Sequence, residues 1–388
     1  MSASDLLRIA LLTYATKPRG SVVHTLEVAN ALTALGHTVG VFALDKDGRG
    51  FERSPQCTTH LIPTAAAPTG MDALIQQRIQ EMISGLQSVA QEYDIYHAQD
   101  CISANALLQW REKPQSVPII RTIHHVEDYE SPYLQQCQER SIYEPDLCFC
   151  VSDRWQQILK NDYKIDAPRV TNGVNLDRFS PVPSGQEATL RNYYDLVGAP
   201  IFLTVGGIEP RKNSIRLLQA FAQVLQLYPK SQLVIAGGST LFDYQSYREH
   251  FFQTAQALNI DVGRSLLLPG NIPEADLPAL YRLADVFCFP SLKEGWGLVT
   301  LEAIASHLPV ITANTYPFTE FLTPNQALLV NPEDPEAIAQ AMLTALNPIL
   351  TQSLVQNSQS ILSQYTWQHS AQLHLNHYQQ CLRRRNEN

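Results

Sequence analysis

Two acidic residues eight positions apart, Glu294 and Glu302, frame a glycine-rich turn in the stretch PSLKEGWGLVTLEA (290–303). The turn Glu294-Gly295-Trp296-Gly297-Leu298 runs into a segment of helical character. Its backbone N–H groups therefore gather at a helix N-terminus, which holds a phosphate or a sugar hydroxyl without a cationic side chain. Taken alone, two acids are more often solvated surface groups, with Glu294 complementing the helix dipole. A second stretch, TVGGIEPRKN (204–213), ends a strand in Gly206-Gly207 and sets Arg211 and Lys212 just before a helix capped by Asn213 or Ser214. Adjacent cations at a helix N-terminus oppose the dipole, so their presence implies an anion there. A diphosphate suits, bound bidentately by Arg and by Lys as a point charge. The bland reading is a loop with two surface cations.

The elements that must position these residues alternate between two periodicities. RIALLTYAT (8–16) reads as a buried strand. Residues 21–35 then place Val22, Leu26, Ala29 and Leu32 on one helical face, with Ser21 as N-cap and Gly36 as the stop. HTVGVFAL (37–44) is the next strand, completing a βαβ unit and implying a parallel sheet. YDIYHAQ, PIIRTIHH and LCFCVS continue the strands, with Gln-rich helical stretches at 74–91 and 133–142. FSPVPSGQEAT (179–189) breaks the alternation with Pro and Gly. It then restarts with IFLTVGG, a helix at 214–227, QLVIAGG, SLLLPG, a helix at 276–284, VFCFPS, a helix at 298–307, PVITA, ALLVNP and a helix at 335–346. The fold class expected is α/β: two Rossmann-like, doubly wound domains. Such sheets bind ligands at the carboxyl ends of their strands, so TYATKPRGS, RTIHHVED, GGIEPRKN and SLKEGWGL should carry the chemistry, across a cleft between the domains.

Composition excludes several functions. The 388 residues carry 28 Lys+Arg against 37 Asp+Glu, a net charge of −9, which argues against a protein built to grip nucleic acid or anionic lipid. With 45% hydrophobic residues the chain is not disordered. Seven scattered cysteines without a CxxC pair suit a reducing cytoplasm. Asp5 and Arg8 interrupt the apolar N-terminus, so it does not read as a signal peptide. No apolar run reaches the roughly 18 residues of a membrane span, leaving at most peripheral membrane contact. Asp45-Lys46-Asp47 is a DxD, a pattern short enough to arise by chance. His124 and His125 should point to opposite faces of a strand, and His374 and His377 read as surface histidines. Arg383-Arg384-Arg385 is too short to anchor a membrane by charge. The absence of GxGxxG disfavours a nicotinamide dehydrogenase.

The pattern P-S-x-x-E-G-x-G-L-x-x-x-E-A, preceded by ADV and followed by LPV, resembles the E-x7-E signature of the retaining glycosyltransferases of family 4, which have the GT-B fold. GGIEPRKN is similar to that family's phosphate loop, RVTNGVNLDRFSP (169–181) to the segment ending its N-terminal domain, RTIHH to the strand end presenting a histidine to the donor sugar, and YTWQHSAQ (365–372) to the helix that returns to the N-terminal domain. CVS (150–152) and TLEVANALTALGHTV match further family elements. The resemblance implies an N-terminal acceptor-side domain (1–180, with helix 366–388 packing back on it), a linker (181–197) and a nucleotide-sugar domain (198–365). It implies that Glu302 holds the nucleotide ribose and Glu294 the transferred sugar. The amides of Gly295, Trp296, Gly297, Leu298 and Val299 would meet sugar and diphosphate. Arg211 and Lys212 would neutralise the diphosphate, beside Gly207. His124 would sit against the sugar, and Gly20 and Ser21 beside the diphosphate and acceptor. Three positions depart from the family: Gly207 stands where Arg is common, with Arg211 supplying that charge. ATKPRGSVVH replaces a double glycine, and His307 a glycine before LPV.

The activity implied is transfer of a sugar from a UDP- or GDP-sugar to a small-molecule, glycan or lipid acceptor, with retention. No residue is an obvious nucleophile for double displacement, so a front-face mechanism is implied. No cofactor and no metal is expected. The alternatives are an epimerase or phosphorylase on the same fold, or a non-catalytic nucleotide-sugar-binding subunit.

Overall fold

The computed structural model describes residues 6–88, 93–111, 117–238 and 244–387. The chain divides into two compact units: Met1–Gly173 with Tyr365–Asn388, and Val174–Gln364. The sequence places the breaks at 180/181 and 365/366. Residues 181–197, expected as a linker, lie within the second unit and include the helix Glu187–Tyr193. There Arg282 pairs with Glu187 at 2.8 Å, and Glu187 also accepts from the backbone of Ser184 and Gly185. The ion pair joins the segment to helix Leu277–Leu283 of its own unit.

The first unit holds strands β1 (Arg8–Thr13), β2 (Thr38–Asp45), β3 (Thr58–Pro63), β4 (Ile95–Ala98), β5 (Ile119–Ile123) and β6 (Leu147–Cys150), in the order β3-β2-β1-β4-β5-β6. All pairings are parallel, with Ile9 opposite Val39 on one side and Ile95 on the other. Ile9, Ala10, Leu11 and Leu12 are wholly buried in succession, as expected of a parallel strand covered on both faces. The second unit repeats this arrangement with β7 (Ile201–Val205), β8 (Gln232–Ala236), β9 (Leu266–Gly270), β10 (Val286–Phe289), β11 (Val310–Ala313) and β12 (Leu328–Val330), ordered β12-β11-β10-β7-β8-β9. Helix Ser214–Leu227 lays Leu217, Leu218, Phe221 and Val224 onto this sheet among Phe202, Leu233 and Ile338. Each such side chain contributes about 1.5–3 kcal/mol when fully buried. The Gln-rich stretch 74–91 folds as helix Met71–Gln87, and residues 89–91 lie outside the described residues.

Helix Trp367–Asn386 belongs to the first unit, and Thr366 caps it by accepting from the His369 amide at 3.1 Å. It brings an unusual cargo into the core. His374, expected at the surface, is wholly buried, as are His24 on helix Gly20–Ala34 and His97 on β4. The His24 and His374 rings lie 5.6 Å apart, and so do those of His97 and His374. His97 Nδ1 meets the Tyr378 hydroxyl at 2.6 Å and Nε2 meets Thr122 Oγ1 at 2.7 Å. His374 Nδ1–H donates to the Ser370 carbonyl at 2.8 Å, so its Nε2 carries a lone pair.

Burial pushes His24 down to about 4 and His374 down to about 3, and holds His97 well below the ordinary range. The unfolded chain therefore takes up protons near pH 6.5 while the folded core refuses them, so stability is full above that pH and falls as pH drops. Each histidine costs up to about 1.4 kcal/mol per pH unit over its window. Urea unfolding of the first unit at pH 7.5, 6 and 5 should show a falling midpoint, with a shallower fall in His374→Phe. A midpoint independent of pH would contradict this.

Candidate functional site

In the second sheet the connectivity reverses between β7 and β10, which lie side by side, the place where open α/β sheets bind ligands. Two loops leave the carboxyl ends of these strands, 206–213 and 290–297, and they are fastened together. Asn213 adopts a left-handed conformation (φ 62°) and donates through its side-chain amide to the carbonyls of Pro290 (3.0 Å) and Pro332 (2.6 Å). It occupies the position before the helix without capping it. The Leu292 amide donates to the Arg211 carbonyl, and Ser291 Oγ, 2.7 Å from that carbonyl and 2.7 Å from Glu294 Oε1, shares its one hydrogen between them.

Across this join one oxygen collects three donors. Glu294 Oε1 accepts from Lys212 Nζ at 2.6 Å, Ser291 Oγ at 2.7 Å and Arg211 Nη1 at 3.2 Å. Arg211 Nε pairs with Glu209 Oε2 at 2.9 Å, and the Lys212 ammonium lies 4.4 Å over the Phe289 ring. The bare pair of cations expected from sequence is thus a quartet of two cations and two carboxylates. Burial pulls the Lys212 ammonium below its ordinary range against the opposing pull of Glu294. Burial alone would raise the Glu294 carboxyl, but Lys212, Arg211 and the hydrogen bonds outweigh it and hold it low. The carboxylate is ionised at neutral pH.

The helix Leu298–Ala305 starts at this join. Gly297 precedes it at φ 95°, and a Cβ there would come within 2.7 Å of Phe318 Cε1, so only glycine fits. Trp296 is buried and stacks on Phe321 with centroids 4.8 Å apart. Gly295 links it to Glu294. Leu298 and Val299 open the helix and are part-exposed, and their amides have no acceptor within the helix. Glu302 is not a solvated helix residue: it is 8% exposed and accepts from the Tyr281 hydroxyl at 2.8 Å. Tyr281, wholly buried on helix Leu277–Leu283, also reaches the Val299 carbonyl at 3.3 Å. It fixes Glu302 against the start of its own helix. Sequence reading missed it, since a tyrosine in an apolar helix looks like core.

The helix ends in a Schellman turn. His307 takes the left-handed conformation (φ 62°), its amide bonds the Ile304 carbonyl at 2.9 Å, and the Leu308 amide bonds that of Ala303 at 3.0 Å. That geometry usually selects glycine, which accounts for the family's glycine here. Gly207 admits no side chain. A Cβ would fall 2.5 Å from the Gly238 carbonyl oxygen and 3.1 Å from Glu209 Oε1, so an arginine cannot be restored there without moving backbone. Arg211 is the cation that stands four residues on, expected from the resemblance to supply that charge.

The remaining predicted residues belong to the first unit. Gly20 and Ser21 are the first residues of helix Gly20–Ala34. Ser21 lies inside that helix and does not cap it; Arg19 holds the N-cap position. His124 follows β5 immediately and its Nε2 meets Gln99 Oε1 at 3.2 Å, while the His24 ring stands 4.9 Å away edge-on. Because Nε2–H donates to that amide oxygen, Nδ1 holds the lone pair. Burial, with the nearby His24 and Arg121, keeps His124 well below its ordinary range and so neutral. His125 turns outward to Glu127 at 2.6 Å. The carboxylates of the DxD are engaged apart, Asp45 with the Gly50 amide and Asp47 with Lys17. Among the described residues no three His, Cys, Asp or Glu side chains converge as a metal cage. No described helix is long and apolar enough to cross a membrane.

Two family models divide the chain between them: Glycosyltransferase Family 4 matches residues 18–178 and Glycosyl transferases group 1 matches residues 190–360. An alpha-monoglucosyldiacylglycerol synthase of Streptococcus pneumoniae is 29% identical over 79% of this chain and 70% of its own length. A phosphatidyl-myo-inositol mannosyltransferase of Mycobacterium leprae is 26% identical over 90% of each. Among solved structures, a sucrose-phosphate synthase from Thermosynechococcus elongatus superposes with a TM-score of 0.79 at 24% identity, covering 96% of this chain and 98% of that one. Anabaena HepE, solved with UDP and glucose, gives 0.77 at 19% identity over 96% and 100%. With two matched models spanning both units and two sheets of the same winding, the chain belongs to the family 4 glycosyltransferases and has the GT-B fold.

Proposed function

We propose that this glycosyltransferase moves a hexose from a UDP- or GDP-sugar to an acceptor hydroxyl, with retention and without a metal ion. The observation that carries this reading is the convergence of Lys212, Arg211 and Ser291 on Glu294 Oε1 at the mouth of a glycine-opened helix. An incoming diphosphate competes with Glu294 for the two cations, since both bind oxyanions and phosphate carries more charge. The released carboxylate then accepts from hydroxyls of the transferred sugar. Exchange of one anion for another keeps the cations aimed throughout, so little reorganisation accompanies the growth of negative charge as the glycosidic bond breaks.

Retention follows from a front-face route. The diphosphate oxygen that leaves the anomeric carbon takes the proton of the acceptor hydroxyl, whose oxygen bonds to that carbon on the same face. Neutral His124 serves this as a hydrogen-bonding group toward the sugar; its depressed basicity keeps it from acting as a cation at pH 7. Glu302, held by Tyr281, accepts from the ribose hydroxyls. The names of the relatives, which include a glucosyl- and a mannosyltransferase acting on lipids, support hexose transfer.

Glu302→Ala should weaken nucleotide binding by about 1.5–3 kcal/mol, the range for a hydrogen bond to a charged group. Calorimetry with UDP and GDP measures it, and unchanged affinity in a folded variant would remove the ribose assignment. Lys212→Ala and Arg211→Ala should each lower kcat by about 10²–10³ while donor affinity falls less, as for loss of an oxyanion-stabilising donor. A rise in KM alone would mean that they only hold the donor. Turnover should persist in saturating EDTA; complete loss, restored by Mg²⁺ or Mn²⁺, would reverse the metal-independent reading.

A further inference from the structure

The side-chain amide of Gln99 stands between two of the first unit's histidines, and its two ends have opposite chemistry. Gln99 follows β4 directly, is 1% exposed, and its backbone N–H donates to the Leu12 carbonyl of β1 at 2.9 Å. Its Nε2 lies 3.4 Å from His97 Nε2, and its Oε1 lies 3.2 Å from His124 Nε2. An amide nitrogen only donates and an amide oxygen only accepts. His97 Nε2 therefore carries a lone pair, which also receives the Thr122 hydroxyl at 2.7 Å. That leaves the His97 proton on Nδ1, from which it is donated to the Tyr378 hydroxyl at 2.6 Å. At the other end His124 carries its proton on Nε2 to meet the amide oxygen, so its lone pair is on Nδ1. One amide orientation thus fixes the tautomers of both rings. Among the described residues nothing bonds His124 Nδ1, and unlike His24 Nε2 and His374 Nε2 it is not sealed inside the core.

We propose that Gln99, His97 and Tyr378 are positioning residues that make His124 a hydrogen-bond acceptor toward the transferred sugar, with helix Trp367–Asn386 setting that sense through Tyr378. This rests on the glycosyltransferase reading above and deepens it: the sugar group that meets His124 must bring a hydrogen, as a hydroxyl does and a carboxylate does not. The relay has a second proton arrangement. With His97 protonated on Nε2 the amide turns over, its NH₂ faces His124, and His124 carries its proton on Nδ1 as a donor. Tyr378 selects between the two, because its hydroxyl is the acceptor for the His97 Nδ1–H. Without that hydroxyl the buried N–H loses its partner, at a cost of about 1–3 kcal/mol, and the proton moves to Nε2, where the Thr122 oxygen accepts it. His97, Thr122 and Tyr378 are wholly buried, so water does not replace a lost partner and the choice of tautomer carries the full penalty.

Nitrogen-15 NMR on the full chain labelled at histidine, recorded without ligand at neutral pH, reads the tautomers directly. The unaltered protein should show His124 protonated on Nε2 and His97 on Nδ1. Tyr378→Phe should move the proton to Nε2 in His97 and to Nδ1 in His124, although Tyr378 reaches His124 only through His97 and Gln99. Gln99→Leu should leave His124 divided between both tautomers while His97 keeps its own. Calorimetry with UDP-glucose and GDP-mannose, set against UDP and GDP, reads the consequence. Both variants should bind the nucleotide-sugar about two- to tenfold more weakly, the worth of one hydrogen bond, with affinity for the free nucleotide unchanged. A folded Tyr378→Phe in which His124 keeps its Nε2 proton would overturn the relay, as would an unaltered protein whose His124 is protonated on Nδ1. Equal losses for nucleotide-sugar and nucleotide would overturn it too, by reducing these residues to general supports of the fold. Should Tyr378→Phe not fold, Gln99→Leu decides: an unchanged His124 tautomer, or unchanged nucleotide-sugar affinity, overturns the proposal. Failure of the unaltered protein to bind any nucleotide would instead bring down the glycosyltransferase reading and the sugar-facing role with it, whereas the tautomers are decided by the spectra alone.

Discussion

Everything in the second unit's site turns on one carboxylate oxygen. Glu294 Oε1 satisfies an ammonium, a guanidinium and a hydroxyl drawn from two loops that the sheet topology brings side by side. Desolvating such charges costs several kcal/mol per ion, and only close geometry with further hydrogen bonds recovers it. The site meets that condition through rigid supports: Asn213 bridging two prolines, Ser291 tying the loops, and Phe289 beneath the ammonium. Isolated in a flexible loop, Lys212 and Arg211 would be solvated and free to wander. Held here, they stand in place before an anion arrives.

The first unit uses polarity differently. His24, His97, His124 and His374 are held neutral by burial and linked to one another by ring contacts, with hydrogen bonds to Tyr378, Thr122 and Gln99. Gln99 touches both His97 and His124, so the residue beside the strand end is oriented from within the core. A core built this way specifies its arrangement through directional bonds.

How much of this was legible in the sequence follows from the range of the forces involved. Helix Ser214–Leu227 was readable to the residue because its apolar stripe is strictly periodic. The loops with Glu294, Arg211 and Lys212 were legible because glycine and charge at a helix start have a local physical meaning. Helices Cys101–Trp110 and Gln245–Ala257 were not, the first being too uniformly apolar to show a period and the second too polar. Asn213, expected as a cap, spends its amide on prolines 77 and 119 residues away. His374 looked like a surface group because its neighbours Gln372, Asn376 and His377 are polar, and only the packing of its helix shows otherwise. Tyr281 stayed hidden for the same reason: its hydroxyl meets a partner 21 residues on. In each case a nonlocal contact decided the role.

One consequence lies in the order of synthesis. The first unit is completed by helix Trp367–Asn386, whose Tyr378 hydroxyl bonds His97 across 281 residues of chain. Until that helix is made, His97 and Phe149 lack the ring contacts of His374 and Tyr378, and the whole second unit is synthesised in the meantime. The second unit is contiguous in sequence, so all of its residues are made before the helix that completes the first. The domain begun earliest is thus the one whose last core residues are synthesised last, and its buried histidines gain their full set of partners only with the returning helix.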